Sequence, residues 1–415
     1  MSATAQGCIG LVVFLLFAWS ISENRRAIPW RTVLGALAMF AVLTVAALKL
    51  PVARQVFALL NDGLLALQSA TADGTSFVFG FLGGAPSPYA ESGAGSSFVL
   101  AFRALPLVLV VSALSALLFY WRVLPLVVNL FSLVLEKTMR VGGAVGVSTA
   151  ANVFLGMVEA PLLVRPYLAK LSRGELFMTM TCGMASTAGT VMALYAATLA
   201  NVVPDALAHI LIASFISAPA AIAVAALMVP HDGAGTEGGL VHPSPANSSM
   251  DAVTRGTLEG VTLLINITAM LLVLAALVSL ANQLLGIIAW PDGRAVTLQG
   301  LFGLAFAPLA WLCGIPWQEA QTAGGLFGTK TVLNEFIAYL EMAKLPGSAL
   351  SDHSRLVMTY ALCGFANFGS LGIMIGGMMT MVPERRKEIL ELGSKSLISG
   401  TIATCLCGAL VGVLS

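Results

Sequence analysis

The stretch "LFGTKTVLNEFIAY", residues 326–339, places Lys330, Asn334 and Glu335 within six residues of one another. The surrounding chain is strongly apolar, with a mean hydropathy of +0.91. A carboxylate at the centre of a membrane helix costs about 2.5–3.5 kcal/mol on insertion scales. This cost indicates that Glu335 has a function, and the rest of the sequence indicates which element of the fold carries it.

The composition predicts an all-α integral membrane protein. Of the 415 residues, 58% are hydrophobic and only 10% are charged, whereas soluble domains carry roughly 25% charged residues. The net charge of +1 gives no reason to expect a nucleic-acid partner. The six cysteines lie singly or as C-L-C in apolar runs, without the spacing of a metal site, and no cofactor is predicted.

Apolar runs of spanning length predict about eight transmembrane helices. Arg25, Arg26 and Arg31 follow the first run, and basic residues mark a loop as cytoplasmic. The N-terminus is therefore predicted to lie outside, and an even number of spans returns the C-terminus to the same side. The runs lie near residues 7–21, 32–50, 98–119, 175–200, 206–229, 257–290, 356–382 and 389–413.

Two further apolar regions, 141–168 and 314–341, are interrupted by small residues, Gly or Pro near their middle. Each carries one acidic residue past its centre, Glu159 and Glu335. Neither half of either region is long enough to cross a bilayer, so both are predicted to be re-entrant helical hairpins buried in protein or lining a cavity. We call them the first and the second interrupted segment.

An internal repeat relates the two interrupted segments. "FMTMTCGMASTAG", 177–189, follows the first segment, and "VMTYALCGFANFGS", 357–370, follows the second. The M-T pairs are 180 residues apart, the C-G-x-A motifs 181, and Glu159 and Glu335 176. A repeated broken hairpin followed by a Gly-interrupted helix is typical of secondary transporters, in which the substrate binds where the repeats meet.

Polar residues at the predicted breaks are the candidates for binding a solute or an ion. The alternative for Glu335 and Glu159 is a structural carboxylate paired with Lys330 or Arg165. For the amides and hydroxyls the alternative is interhelical hydrogen bonding. The candidates are Asn152, Glu159, Ser186, Thr187, Glu335, Asn367 and Ser370.

An intramembrane enzyme is the less favoured function class. The aspartates lie in loops, linkers or at span edges, and the chain contains no H-E-x-x-H, G-x-S-x-G or P-loop motif. A simple channel is also disfavoured, because it does not require paired hairpins with discontinuous helices. We therefore expect a transporter and not an enzyme.

Four motifs together resemble the concentrative nucleoside transporter family in its eight-span bacterial form. They are "NVFLGMVEAPLLVRPYL", "MASTAGTVMALYA", "GTKTVLNEFIAY" and "GFANFGSLGIMIGG". The resemblance implies a homotrimer of elevator-type transporters in a bacterial inner membrane. A mobile transport domain, formed by the inverted-type repeat, would cross the lipid bilayer against a fixed scaffold.

The resemblance, together with the Gly- and Pro-rich linker, divides the chain. Residues 1–50 are scaffold helices 1 and 2, 51–97 an interfacial helix (51–70) with an external loop (71–97), and 98–140 scaffold helix 3 with its connection. Residues 141–229 are the first transport-domain repeat, 230–250 the linker, 251–305 scaffold helix 6 with its connection, and 306–415 the second transport-domain repeat.

On the sugar side of the site, the resemblance implies that Glu335, Asn367 and Ser370 hold a ribose, with Phe365 beside it. A carboxylate suits two vicinal hydroxyls, and an amide can both donate and accept. The base side departs from the family pattern G-Q-T-E or G-Q-S-E. This chain has Gly156, Met157, Val158 and Glu159, with Val191 at a base-packing position. Without hydrogen bonds to the base, selection should rest more on shape, so an altered or relaxed base preference is expected.

The resemblance also implies sodium as the coupling ion. The matching positions are Asn152 and Ser186 through side chains, and Leu155, Ser186 and Thr187 through backbone carbonyls. The alternative is a proton-coupled importer of nucleosides or of a nucleoside-like ribosyl compound, with Glu159 or Glu335 titrating. The sequence thus predicts a trimeric, sodium-driven nucleoside importer.

Overall fold

A computed structural model of the chain describes residues 3–88, 98–139, 141–231, 235–239, 246–288 and 295–415. Over these residues the secondary-structure elements are all helices, as the composition predicts. The helices of the first half are α1 (Ala3–Ser20), α2 (Trp30–Lys49), α3 (Pro51–Phe79), α4 (Leu100–Arg103), α5 (Leu107–Tyr120), α6 (Val123–Met139), α7 (Gly143–Asn152), α8 (Glu159–Leu162), α9 (Arg165–Leu168), α10 (Arg173–Ala185), α11 (Gly189–Leu199) and α12 (Ala206–Met228). Those of the second half are α13 (Ser249–Leu285), α14 (Leu298–Leu312), α15 (Trp317–Val332), α16 (Glu335–Lys344), α17 (Asp352–Leu362), α18 (Phe368–Met381) and α19 (Arg386–Leu414).

Over the described residues, each of the eight predicted apolar runs coincides with one or two helices. In the described part of the chain, seven helical stretches are long and apolar enough to cross a membrane, and α14 with α15 forms a further pair bent by 116°. The run predicted at 356–382 is divided into α17 and the shorter apolar helix α18. The seven stretches are 3–20, 30–49, 100–120, 173–199, 206–228, 249–285 and 383–414.

The prediction of an external loop over 71–97 is wrong in its first part, because α3 continues through Phe79. Two threonines of this extension donate side-chain hydrogen bonds to backbone carbonyls. Thr71 Oγ1 donates to the Leu67 carbonyl at 2.7 Å, and Thr75 Oγ1 donates to the Gly83 carbonyl at 2.8 Å. The second bond folds the following turn back against the helix. The remainder of the predicted loop, 89–97, lies outside the described residues.

Helix α1 is bonded to the start of the second interrupted segment at one end, and the loop after its other end is bonded to a residue just after the first segment. At the start of α1, Gln6 donates to the carbonyl of Ile315 at 2.6 Å, where the second segment begins. Just after α1, Glu23 pairs with Arg173 at 3.0 Å, and Arg173 follows the first segment closely in the chain. Since α1 has 18 residues and a helix rises 1.5 Å per residue, these ends are about 27 Å apart. The second and the first segment are thus tied to opposite ends of α1.

Glu23, in the loop after α1, anchors an ion-pair group at this end of the molecule. Its carboxylate is 3.0 Å from Arg173 Nη2 of α10 and 2.5 Å from Lys395 Nζ of α19. Its bond with Arg173, and also that with Lys395, lowers the pKa of Glu23 from 4.5 to about 2. The loop is therefore tied to both repeats by charge.

Helix α12 lies at the centre of the fold, whereas α13 lies at its edge. Most residues of α12 are buried, and the helix packs against α2, α10 and α19. Helix α13 packs along α5 but exposes a row of large apolar side chains to the outside: Leu258, Ile265, Leu272 and Leu280. Of the functional candidates, Glu335 of α16 and Asn367 at the start of α18 meet beside α11.

Candidate functional site

Glu335 begins α16 directly after the break in the second interrupted segment. The preceding Asn334 is the N-cap, and its side chain accepts a hydrogen bond from the Ile337 backbone N–H at 2.9 Å. Glu335 is 3% exposed. An anion in the first helical turn is stabilised by the positive end of the helix dipole, so the local sequence both starts the helix and supports the buried carboxylate.

Both carboxylate oxygens of Glu335 have donors. Tyr195, in the middle of α11, donates its hydroxyl to Oε1 at 2.5 Å. Asn367 donates its side-chain amide to Oε2 at 3.0 Å. Hydrogen bonds to an ionised group are roughly twice as strong as neutral ones. Glu335 is therefore held by one residue from each repeat.

Asn367 joins Glu335 to the start of α18. It is the N-cap of this helix, and its Oδ1 accepts from the backbone N–H of Ser370 at 2.7 Å. The amide oxygen thus stabilises the start of the helix, while the amide nitrogen donates to the carboxylate. The structure brings together three of the residues predicted for the sugar, Glu335, Asn367 and Ser370. Phe365, half-buried in the break before α18, lies two residues from Asn367.

Lys330 is not the direct partner of Glu335, so that alternative is wrong. The ammonium of Lys330 is 1% exposed and donates to the Ala361 carbonyl at 2.9 Å and to Thr404 Oγ1 at 3.1 Å. Ala361 is in the last turn of α17, where free carbonyls attract a cation. Lys330 therefore ties the second segment to α17 and α19, and leaves the carboxylate to Tyr195 and Asn367.

The residues predicted for sodium lie where α7 ends and α10 ends. Asn152 is the last residue of α7, and its side-chain Oδ1 is buried without a hydrogen-bond donor among the described residues. Ser186 caps α10, and its hydroxyl is 2.9 Å from the Cys182 carbonyl and 3.5 Å from the Asn152 carbonyl. Thr187 is fully buried, with Oγ1 3.6 Å from Cys363 Sγ. Leu155 is half-buried in the break.

The breaks of the two repeats contact one another directly. The Ser186 carbonyl accepts from the backbone N–H of Phe365 at 3.1 Å. Gly364 lies so close to α10 that a Cβ there would be 2.7 Å from the Ala185 carbonyl oxygen. The region predicted for sodium and the region predicted for the sugar are therefore adjacent, which is a condition for coupling an ion to a solute.

The two apolar residues on the predicted base side each pack against a glycine of a neighbouring helix. Met157 is buried, and its Cβ is 3.1 Å from the position of a Cβ on Gly183 of α10. Val158 lies against Gly377 of α18, where an added Cβ would be 2.8 Å from Val158 Cγ1. Gly377 is seven residues after Ser370, on the same face of α18. The tip of the first segment thus contacts the helix that begins at the residues predicted for the sugar.

Glu159 is separated from the Glu335 junction. Its side chain is exposed and folds over Gly156, where a Cβ would be 2.1 Å from Glu159 Oε2. Arg165 is also exposed, so Glu159 is not the buried structural carboxylate that its alternative requires. Val191 is buried on α11, four residues before Tyr195 and hence on the same helix face.

Tyr195 is the site residue that the sequence did not single out. A tyrosine in an apolar helix is ordinarily a packing residue, and its partner Glu335 is 140 residues away in the chain. The spacing of four residues from Val191 was the available signal, because it places Tyr195 on the face that carries a predicted contact residue.

Comparison with known proteins gives the class of the chain. Models for the N-terminus and the C-terminus of a Na⁺ dependent nucleoside transporter match residues 9–82 and 209–412, and a nucleoside recognition (Gate) model matches 101–202. An uncharacterized transporter of Haemophilus influenzae is 37% identical, over 98% of this chain and 96% of the relative. The nucleoside permease NupC of Helicobacter pylori is 34% identical, with the same two coverages.

Solved structures agree with these sequence matches. A substrate-bound, inward-facing structure of CNTnw has a TM-score of 0.90 and 34% identity, and covers 100% of this chain and 99% of its own. An outward-facing CNTnw structure has a TM-score of 0.91, also at 34% identity, covering 99% of this chain and 97% of its own. Fold and site thus define a helical membrane transporter. The chain belongs to the concentrative nucleoside transporter family, whose members are transporters and not enzymes. The family resemblance and the predicted all-helical membrane fold are confirmed.

Proposed function

We propose that this protein imports nucleosides across a bacterial inner membrane, coupled to a sodium gradient. The observation that carries the proposal is the buried carboxylate of Glu335, held at the meeting point of two helix N-termini. An ionised carboxylate has about four acceptor sites, and Tyr195 and Asn367 each take one. The remaining sites can accept from two vicinal hydroxyls, as a ribose offers. Ser370 and Phe365 complete the sugar contacts.

The residues at the first break fit a hard monovalent cation. Asn152 Oδ1 is a buried acceptor that lacks a donor among the described residues. Ser186 and the carbonyls of Leu155, Ser186 and Thr187 add neutral oxygens beside it, and unwound backbone with half-helix ends is the usual cation site of such transporters. The negative end of the α10 dipole adds attraction for a cation. Sodium would strengthen the contact between the two breaks when it binds.

The division into a scaffold and a moving part is proposed from the packing. A groove of about 670 Å³ separates α13 from the second segment, with Leu271, Val278 and Ile337 among its lining residues. Sparse packing there favours α5 and α13 as scaffold helices. The exposed apolar row of α13 would be covered by lipid and by neighbouring copies in a homotrimer. The transport domain would then move as an elevator, carrying both interrupted segments.

Helix α1 packs so closely on the second repeat that we place it in the moving part rather than in the scaffold. Gln6 donates to the carbonyls of Trp311 and Ile315. A Cβ on Gly10 would lie 1.8 Å from the Leu312 carbonyl oxygen. Sliding α1 past α14 would break these bonds and create a clash. In this proposal, the scaffold that was expected over residues 1–50 therefore no longer includes α1.

Both termini are proposed to lie outside. Lys49, at the end of α2, donates to the Leu414 carbonyl at 2.6 Å, and Ser415 is 3.1 Å from His353. These contacts support placing the C-terminus at the end of the molecule where α1 begins. Arg25 and Arg26 lie at the other end, which the positive-inside preference favours as cytoplasmic.

The base side supports a nucleoside preference that differs from that of relatives with a polar hairpin tip. The side chains of Met157 and Val158 pack against Gly183 and Gly377 and have no group that could hydrogen-bond a base. Such a site would select by shape. Gly156 allows the Glu159 carboxylate to lie over the tip, and Val191 contributes an apolar contact.

Uptake into proteoliposomes tests this function. Glu335→Gln and Asn367→Ala should abolish uptake of ribonucleosides while the protein remains folded and trimeric. Glu341→Gln is the matched control, because this carboxylate is on the same helix but accepts from Thr329 Oγ1 at 2.8 Å, away from Asn367. Normal uptake by the first two variants would refute the sugar site.

The coupling ion is tested in the same vesicles. Uptake should follow an inward sodium gradient at constant pH, and Asn152→Ala should raise the sodium concentration for half-maximal uptake. Uptake that ignores sodium but follows a pH gradient would support the proton-coupled alternative. Recovery of chemically altered substrate would instead indicate an enzyme.

A further inference from the structure

We propose that Tyr195 is a positioning residue that sets the sugar preference of the transporter by fixing the orientation of the Glu335 carboxylate. This inference rests on the proposed function, because it assigns a role within the proposed sugar site. The role differs from those of Asn367 and Ser370, since Tyr195 comes from the other repeat and acts through Glu335.

The ring of Tyr195 is held so that its hydroxyl has one direction. Tyr195 is 3% exposed. Its ring is stacked on that of Phe336, with centroids 5.8 Å apart and planes at 18°, and the Tyr339 ring lies 5.4 Å away at 50°. Aromatic contacts of this kind fix a side chain from more than one side. The hydroxyl therefore reaches Glu335 Oε1 at 2.5 Å from a rigid support.

Two fixed donors determine the plane of the carboxylate. Tyr195 holds Oε1, and Asn367 holds Oε2 at 3.0 Å. With both oxygens anchored on the protein side, the free lone pairs of each oxygen point in set directions. Two hydroxyls on neighbouring carbons can then each find one oxygen.

A sugar that lacks one of these hydroxyls leaves one oxygen without a partner. Leaving a buried acceptor unpaired is the stronger basis of discrimination, compared with the loss of a contact in an apolar pocket. If the carboxylate could turn, a single hydroxyl could be shared between the two oxygens, and the penalty for a deoxy sugar would fall. Tyr195 prevents this turn.

The position of Tyr195 also connects the two halves of the site. Val191, expected to contact the base, is on the same face of α11 one turn earlier. Helix α11 begins right beside the first break, where Gly189 N–H donates to the Phe154 carbonyl at 2.9 Å. The helix of the first repeat therefore contributes an apolar contact at one point and a sugar-orienting hydroxyl at the next.

Tyr195→Phe tests the inference, because it removes the hydroxyl and keeps the ring. Tyr339→Phe is the matched control: its hydroxyl is also buried, but donates to the Thr359 carbonyl at 2.7 Å. Uptake is measured for uridine and adenosine and for their 2′- and 3′-deoxy forms. In Tyr195→Phe, the KM for the ribonucleoside should rise at least fivefold, and the ratio of deoxy to ribo KM should fall at least threefold. Tyr339→Phe should leave the ratio unchanged.

Three results would overturn the inference. An unchanged ratio in Tyr195→Phe would show that the hydroxyl only stabilises the fold. A lower KM for ribonucleosides would show that Tyr195 competes with the sugar for Oε1. An equal fall of the ratio in Tyr339→Phe would show a general loosening of the rings.

A second variant keeps the test independent of the folding of Tyr195→Phe. Phe336→Leu keeps the hydroxyl but removes the ring stacked on Tyr195, and should lower the ratio in the same direction by a smaller factor. An unchanged ratio in Phe336→Leu would contradict the role of the rigid support. If the unmodified protein takes up no nucleoside, the proposed function itself fails. If it takes up nucleosides and only the ratio test fails, the role of Tyr195 alone is refuted.

Discussion

The replacement of Asn367 by Ala should cost more stability than the same replacement of Asn334, although both residues are helix N-caps. Loss of an Asn cap costs about 1 kcal/mol. Asn334 makes one such bond, to the Ile337 N–H. Asn367 makes the corresponding bond to the Ser370 N–H and also donates to the Glu335 carboxylate. A hydrogen bond to a charged group contributes about 1.5–3 kcal/mol.

The expected loss is therefore about 1 kcal/mol for Asn334→Ala and about 2.5–4 kcal/mol for Asn367→Ala. Free energies of unfolding can be compared by titrating the detergent-solubilised protein with SDS. In a Glu335→Gln background, the cost of Asn367→Ala beyond the loss of the cap should fall to about 0.5–1.5 kcal/mol, because the bond between the two side chains is then a neutral hydrogen bond. Equal losses for the two single variants, or an extra cost that Glu335→Gln does not reduce, would refute the reasoning.

Three further predictions concern other parts of the site and its surroundings. Gly364→Ala should lower the melting temperature, because its Cβ would be 2.7 Å from a backbone oxygen of α10. The control Gly372→Ala should leave the melting temperature unchanged, because nothing lies within 4 Å of the added Cβ. A larger fall for Gly372→Ala than for Gly364→Ala would contradict the contact between the breaks. Glu23→Gln should lower the melting temperature by a constant amount above about pH 5. The difference in melting temperature between the two proteins should shrink as the pH falls from 4.5 towards 2, because a carboxylate with a lowered pKa stabilises the fold only while it stays ionised. A difference that is constant down to pH 2 would show that the charge of Glu23 is not involved. Met157→Gln with Val158→Thr should narrow the range of bases accepted in an uptake panel, and unchanged selectivity would show that these positions do not face the base.

The breaks in the helices could be predicted because their causes are local. The second interrupted segment is divided at Leu333–Asn334, where Asn334 is an N-cap residue followed by Glu335. The helix after it is divided around Gly364 and resumes at the cap Asn367. Cap residues, glycines and the length of apolar runs act over a few residues, so the sequence alone indicates where helices start and stop.

The extent of α3 and the partner of Lys330 could not be predicted in the same way. The helical extension to Phe79 depends on the bond from Thr75 to Gly83, which forms only when the following turn folds back. Lys330 is five residues from Glu335, and proximity in the chain made an ion pair the simplest expectation. In the fold, the ammonium instead reaches Ala361 and Thr404 on two other helices.

The sequence by itself determined the membrane class, the repeat, the family and the carboxylate at the centre of the candidate site, because hydropathy, spacing and capping residues are properties of short stretches. Only the tertiary structure decided which residues from elsewhere in the chain contact the stretch 326–339. The packing of α11 against α16 brings Tyr195 to Glu335 over 140 residues of chain, and the contact between the two breaks places Ser186 against Phe365. Such pairings depend on how helices from the two repeats pack together, and no local pattern encodes them.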